Sequence, residues 1–294
     1  MKAIPTLLNG LMWGASRIPL PLLYGVADVL AWLAHDVVRY RRKMVDRNLA
    51  SCLPELSEKE RRRAARRFYR FLGDYFVETL RLHSMSEREM KERMRFENID
   101  EVIADLRSGR DVSLYLGHYG NWEWVSSLPL HFPEDVVCGQ IYHPLTNKTF
   151  DELFLGLRER FGAHCIPMAR TLRQLVTWKR DGKTSIVGYI ADQRPTSGRD
   201  RHWLRFLHHE TDAITGAEEI SRRLKAAVYY VDMVRLGRGR YCGRFVKICE
   251  DASVMPQPHS ITDEYYHLLE ASIRRDPPYW LWSHNRFKHI RKNR

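Results

Sequence analysis

Residues 112–116, Val-Ser-Leu-Tyr-Leu, have the β-branched and aromatic make-up of a buried strand, and the run stops abruptly at Gly117, His118, Tyr119 and Gly120. The two glycines permit a tight exit, and Asn121 is placed to cap a helix through Trp122, Trp124 and Val125. Thr184 to Ala191 is the cleanest buried strand of the chain, and it ends in Asp192-Gln193-Arg194-Pro195. In an open α/β sheet the ligand crevice lies just beyond the carboxyl ends of such strands. The expected fold is therefore α/β, with a mixed, largely parallel central sheet flanked by helices, and with His118 and Asp192 on one edge.

A carboxylate that takes the hydrogen bond from one imidazole nitrogen fixes the tautomer and raises the basicity of the other. His118 and Glu123, five residues apart across a tight turn, can form such a general base, and no Ser or Cys nucleophile is then required. The same spacing is open to a plainer account, a satisfied core histidine beside a solvated acid at a helix start. Spacing alone does not choose between the two.

The remaining segments supply support. Ser57 and Glu60 make a capping box that opens a long helix from Glu58 towards Leu82, with Arg61, Arg62, Arg63, Arg66 and Arg67 ahead of an aromatic half. Ser86 to Met94 reads as a short polar helix, and Asn98 as the cap of a helix from Ile99 to Leu106. Strands are expected at 136–142, 163–168 and 203–208, helices from Asn147 to about Phe161 and from Leu172 to Arg180, and a helix from about Ala213 capped by Thr211 or Asp212. Residues 227–236 and 241–249 read as a hairpin turning through Gly237-Arg-Gly-Arg240, and Thr262 opens a further helix to about Ile273.

From Met1 to Ala34 the only charges are Lys2, Arg17 and Asp28. A spanning helix needs about 20 apolar residues, but Pro19 and Pro21 break the run, and a carboxylate at the bilayer centre costs roughly 2.5–3.5 kcal/mol. Ile18 to Ala34 is accordingly expected as an inserted or interfacial helix, with a buried core helix as the alternative. The basic cluster Arg39 to Lys43 suits an anionic, cytoplasm-facing leaflet. The chain divides into an anchor with its basic cluster, 1–43, and one larger domain, 44–294.

A net charge of +12 asks for an acidic partner, namely nucleic acid, anionic lipid or an acidic protein. Five cysteines without a Cys-x-x-Cys pair suit a reducing compartment, and the 13 histidines include no His-Glu-x-x-His or zinc-like spacing. No metal or other cofactor is expected. The tail from Trp280 to Arg294 interleaves aromatic and basic residues, which together with the apolar N-terminus favours a membrane surface over nucleic acid.

The block from His118 to Glu123 resembles the H-x-x-x-x-(D/E) block of the lysophospholipid acyltransferase superfamily, and GHYGNWEW is similar to its late lipid A acyltransferase branch. Arg170 in IPMARTLRQL, Asp192 and Gln193 in GYIADQRP, and Trp282, His284, Arg286 and Phe287 in YWLWSHNRFK fit that branch in the same order. The resemblance implies a His118–Glu123 catalytic dyad and an acyl chain passing from acyl carrier protein, or another acyl thioester, to a hydroxyl of a glycolipid of the lipid A precursor type. Asn121, Asn147, Arg170 and Asp192 are the implied substrate-side residues, although Asn147 also suits a plain helix cap. Where this chain has His143 the family often has Arg. The implied location is the inner membrane, with the catalytic domain facing the cytoplasm and resting on an anionic surface, and without a nucleic acid partner.

Overall fold

A computed structural model of the chain describes residues 3–195 and 201–288. Its core is a seven-stranded sheet built from β1 (Met94–Glu97), β2 (Val112–Leu116), β3 (Val137–Tyr142), β4 (His164–Pro167), β5 (Ser185–Ile190), β8 (Ala227–Gly237) and β9 (Arg240–Cys249), in the order β1-β9-β8-β2-β5-β3-β4. A separate antiparallel ribbon pairs β6 (Arg201–Phe206) with β7 (His209–Ile214). Within the large sheet only β8 and β9 run antiparallel, as the hairpin turn between them requires; every other pair is parallel. The α/β architecture with a largely parallel sheet is as the apolar runs imply. Strand β2 lies at the centre and all five of its residues are buried, which explains why it reads as continuously apolar rather than alternating.

Helices cover both faces: α1 (Ala3–Ser16), α2 (Leu20–Trp32), α3 (Arg42–Cys52), α4 (Glu58–Arg81), α5 (Glu87–Arg93), α6 (Ile99–Arg107), α7 (Lys148–Glu159), α8 (Thr171–Arg180), α9 (Gly216–Leu224) and α10 (Ser260–Arg275). Both halves of the α4 capping box form, with the Ser57 N–H donating to Glu60 at 2.8 Å and the Glu60 N–H to Ser57 Oγ at 3.3 Å. Helix α2 packs Leu23, Ala27 and Ala31 towards α4. Gly73 allows the close approach, since a Cβ there would lie 2.5 Å from the Ala27 carbonyl oxygen. The opposite face of α2 leaves Leu22, Val26, Val29 and Trp32 exposed. Asp28 is held off that apolar face by Arg70 at 3.0 Å and Arg238 at 2.8 Å. By length and composition 20–37 is the one stretch among the described residues able to cross a membrane.

Several local expectations differ from the structure. The segment after Asn121 is a 3₁₀ helix, Trp122–Leu130, not an α-helix. Ser126 and Ser127 donate to the carbonyls three residues back, and Pro129 has no N–H to give to an α-helical ladder. Thr211 and Asp212 do not cap a helix; they lie in β7, and α9 starts at Gly216. Asn98 precedes α6 but makes no capping bond, its amide donating instead to the Phe245 carbonyl. Strand β1 was not expected at all. Residues 196–200 and the end of the C-terminal tail fall outside the described residues.

Candidate active site

The register of β2 against β5 places the site. Leu116 pairs with Ile190, and two residues beyond that pair each strand delivers a polar side chain, His118 from one and Asp192 from the other. The Asp192 carboxylate accepts the His118 backbone N–H at Oδ2 (2.9 Å), while its Oδ1 lies 2.6 Å from His118 Nδ1. The Trp280 indole N–H also donates to Oδ2, at 2.8 Å. On the far side of the ring the Gln193 amide nitrogen lies 3.2 Å from Nε2. An ionised carboxylate only accepts and an amide nitrogen only donates, so both neighbours require the tautomer with its proton on Nδ1 and a lone pair on Nε2. That is the form of a general base.

Burial pushes the Asp192 carboxyl up, but the adjacent imidazole and the three N–H groups aimed at it outweigh this and hold it below the usual carboxylate value. Asp192 is 3% exposed and His118 17%, which leaves the imidazole reachable and its partner sealed. The edge is braced from α10. Tyr265 donates to the Leu116 carbonyl and Tyr266 to the Ala191 carbonyl, each at 3.0 Å, so the exit of both strands is tied down.

The loop needs its glycines. A Cβ at Gly117 would lie 2.7 Å from the Leu269 side chain, and Gly120 has φ +63° with Met233 only 2.4 Å from where its Cβ would be. The C-terminal segment then runs across the loop like an added strand. Gly120 N–H donates to Tyr279 O (2.9 Å) and Leu281 N–H to His118 O (3.1 Å), which seats Trp280 on Asp192. Beyond it the fully buried Arg286 clamps this segment to β7 and α10 through Thr211 Oγ1, the Asp212 carbonyl and the Tyr266 hydroxyl.

Glu123 does not meet His118. Its two oxygens receive the Arg158 guanidinium as a fork, at 2.8 and 2.6 Å, and the Tyr75 hydroxyl at 3.3 Å. The His118–Glu123 hydrogen bond expected from the five-residue spacing is thus replaced by the His118–Asp192 pair. Tyr75 stacks on Trp122 (4.3 Å between ring centroids), whose edge meets the His118 ring at 5.1 Å. Asn121 is fully buried, donating to Glu78 at 2.7 Å and accepting from the Trp124 N–H. Asn147 caps α7 through the Thr149 and Phe150 N–H groups and is exposed. Arg170, at the end of a short 3₁₀ turn before α8, is exposed and takes part in no hydrogen bond or ion pair among the described residues. Of the six candidates, then, only His118 and Asp192 are in direct contact.

Trp280, Arg158 and Glu78 were not anticipated. Trp280 lies in the YWLWSHNRFK block, where the resemblance singles out its neighbours instead, and nothing in the spacing points from Glu123 to Arg158. Glu78 lies beneath the motif loop, completely buried, and receives Tyr24, Asn121 and Tyr241 at 3.1, 2.7 and 2.8 Å. Burial raises its carboxyl to about 7, although Arg235 and these hydrogen bonds pull the other way.

Trp122 also walls an apolar cleft of about 570 Å³ between α2, α4 and the C-terminal segment, lined among others by Leu72, Tyr75, Phe76, Leu281 and His284. Its volume falls in the ≈300–1,000 Å³ range of small-molecule sites. A neighbouring hollow of about 760 Å³ is lined by Arg39, Arg42, Lys43, Arg47 and Asp46, and Arg41 lines both. No cluster of His, Cys, Asp and Glu able to hold a metal occurs among the described residues.

A carboxylate-paired imidazole at the carboxyl edge of a parallel sheet, near an apolar cleft with a cationic rim, defines a class of protein equipped to move a proton next to an apolar ligand. Within that class the chain belongs to the bacterial lipid A biosynthesis acyltransferase family, whose model matches residues 2–289. It is similar to the lipid A biosynthesis palmitoleoyltransferase of Escherichia coli (strain K12), 25% identical over 285 residues that cover 95% of this chain and 89% of that one. A lipid A biosynthesis acyltransferase of Shigella flexneri matches to the same extent. The lauroyltransferase of E. coli (strain K12) is 36% identical over 70 residues, 24% of this chain and 23% of its own. The chain is an acyl-transferring enzyme, and its family implies an acyl donor and an acceptor of the lipid A kind.

Proposed function

We propose that the protein moves a fatty acyl chain from acyl carrier protein, or another acyl thioester, to a free hydroxyl of a lipid A precursor at the cytoplasmic face of the inner membrane. The observation that carries this is the His118–Asp192 pair, whose imidazole touches Trp122, a wall of the apolar cleft. The acceptor hydroxyl takes the place of the Gln193 amide and gives its proton to Nε2 as its oxygen attacks the thioester carbonyl. Asp192 steadies the imidazolium that forms, and the same proton leaves with the thiol when the tetrahedral intermediate collapses. No acyl-enzyme forms.

Glu123 is a positioning residue in this account, acting through Arg158, Tyr75 and Trp122. The exposed apolar face of α2 beds into the leaflet, and the cluster from Arg39 to Arg47 meets anionic headgroups. The exposed arginines Arg62, Arg63 and Arg66 of α4 offer a face to an acidic carrier protein.

The test is incubation of the purified chain with a lipid A precursor and a panel of acyl thioesters, with the products weighed by mass spectrometry. His118→Ala should abolish transfer while the protein remains folded and bound to vesicles. Turnover at the wild-type rate in that variant would end the proposal.

A further inference from the structure

The cleft walled by Trp122 is lined by a histidine with a buried polar atom that the fold does not use. His284 lines the cleft, and its Nε2 is sealed from solvent without a hydrogen-bond partner. Its place is nonetheless tightly set. The backbone N–H donates to Leu281 O at 3.0 Å, the carbonyl accepts from the Asn48 amide at 3.1 Å, and Leu281 in turn donates to the carbonyl of His118. The ring is thus tied by main-chain bonds to the loop that carries the base. For stability alone a leucine or phenylalanine would serve better in a wall that is mostly apolar, with Leu72, Tyr75, Phe76, Trp122 and Leu281 outnumbering Arg41 and Ser283. Of the buried polar atoms without a partner, this one belongs to a residue that lines the cleft, where such a break in the local rule points to function.

An unpaired buried N–H is costlier than an unpaired lone pair, so the ring proton belongs on Nδ1, the nitrogen left for the cleft to reach. Burial pushes the His284 imidazole down to about 4; Arg286 and Arg194, and His118 once it takes up a proton, add to this, and only Asp192 opposes it. The ring is therefore a neutral donor and does not compete with His118 as a base. We infer that His284 is a second catalytic histidine, the hydrogen-bond donor that holds the carbonyl oxygen of the acyl thioester while His118 acts on the acceptor hydroxyl; this rests on the acyl-transfer reading above.

The steps balance without another reactant. The acceptor oxygen bonds to the carbonyl carbon, its proton passes to His118 Nε2, and the carbonyl π pair moves onto the oxygen that receives the His284 N–H. The pair then returns, the C–S bond breaks, and the thiol leaves with the proton from His118. A fixed donor aimed at a developing oxyanion acts mainly on kcat.

The experiment measures kcat, donor KM and thermal midpoint for the full-length wild type, His284→Phe and His284→Asn, with His118→Ala beside them. His284→Phe is expected to lose roughly 10²–10³-fold in kcat with donor KM little changed, as for the loss of one oxyanion donor, and with a thermal midpoint equal to or above wild type. His284→Asn, whose amide N–H reaches close to the Nδ1 position, is expected to regain part of the rate. A wild-type kcat in His284→Phe overturns the inference. So does a fall in both rate and thermal midpoint that His284→Asn does not relieve, because that is the behaviour of a structural histidine. Absence of transfer by the wild type with every thioester sinks the acyl-transfer reading and this inference with it.

Discussion

The most discriminating perturbation of the site is Asp192→Asn, because the three donors reach the carboxylate on different oxygens. Oδ2 takes both the His118 backbone N–H and the Trp280 indole, whereas Oδ1 faces only His118 Nδ1. An asparagine can put its carbonyl in the Oδ2 position and keep the first two bonds. Its NH₂ then faces Nδ1 and needs a lone pair there, which drives the ring proton to Nε2. The shape of the site survives and the base is lost. In serine proteases the same inversion of tautomer costs about 10⁴ in kcat. Here we expect a fall of roughly 10³–10⁴, which at 1.36 kcal/mol per tenfold is about 4–5.5 kcal/mol of barrier.

Stability should respond in the opposite sense at acid pH. The folded Asp192 carboxyl lies below its ordinary value, so it contributes stability that is present above the unfolded carboxyl value near 4 and is lost as pH falls through the folded one. The asparagine variant lacks that acid-side loss, and near neutrality its thermal midpoint should lie within a few degrees of wild type. Transfer kinetics by mass spectrometry, a thermal melt and the ¹⁵N shifts of the His118 ring together check this. A kcat within tenfold of wild type, with the proton still on Nδ1, would refute the tautomer argument.

Other changes separate the supporting parts. Glu123→Gln removes one half of a buried fork to Arg158, whose side chain stays 23% exposed, so a loss of about 2–4 kcal/mol is expected, towards the lower end for breaking a buried pair. Its kcat should fall while the acid limb of the pH–rate profile stays in place; a shift of that limb would return Glu123 to the role of direct partner. Because the folded Glu78 carboxyl is raised to about 7 from 4.5, its contribution to stability is full below the unfolded value and is lost as pH rises towards 7, on the order of 3 kcal/mol at 1.36 kcal/mol per unit. Glu78→Gln should flatten denaturant-measured stability across that window, and an unchanged slope would rule the assignment out. Val26→Ser with Val29→Ser on the exposed face of α2 removes two valine side chains at about 1.5 kcal/mol each, so binding to neutral vesicles should weaken roughly 100-fold in a sedimentation assay. Equal sedimentation would mean that this face does not enter lipid.

What could be read from the chain follows from where the deciding interactions lie. The strand around Leu114, the capping box at Ser57 and the hairpin turn at Gly239 are written in adjacent residues, and the structure places each where the pattern does. Thr211 and Asp212 look like helix caps because their side chains suit that role, yet Arg286 binds Thr211 Oγ1 and the Asp212 carbonyl and β6 pairs alongside, so tertiary contacts outweigh the local preference. Strand β1 exists only because β9 offers it an edge. The partner of His118 was the subtler matter. Local spacing favours a carboxylate five residues on, whereas sheet register selects one 74 residues away. Reading both apolar runs as neighbouring strands placed Asp192 on the correct edge, but only the one-to-one pairing of Leu116 with Ile190 brings the two side chains into contact.

The acid of the H-x-x-x-x-E spacing therefore belongs to a different layer from the acid that orients the base. The layer below begins at Glu78, which receives Asn121 from the motif loop, Tyr241 from β9 and Tyr24 from α2, the helix whose far side is apolar and exposed. Arg238 ties the same helix to Asp74 on α4. A movement of α2 against α4 is thus felt by the carboxyl that holds Asn121, one residue from the Trp122 that packs against His118. The apolar cleft opens between these same two helices, so the surface suited to lipid, the wall suited to an acyl chain and the support of the base are parts of one packed unit. An N-terminal segment attached only by a tether would leave Glu78 short of a partner and the cleft without one side; Tyr24 of α2 supplies that partner, and Leu30, Ala31 and Ala34 supply that side.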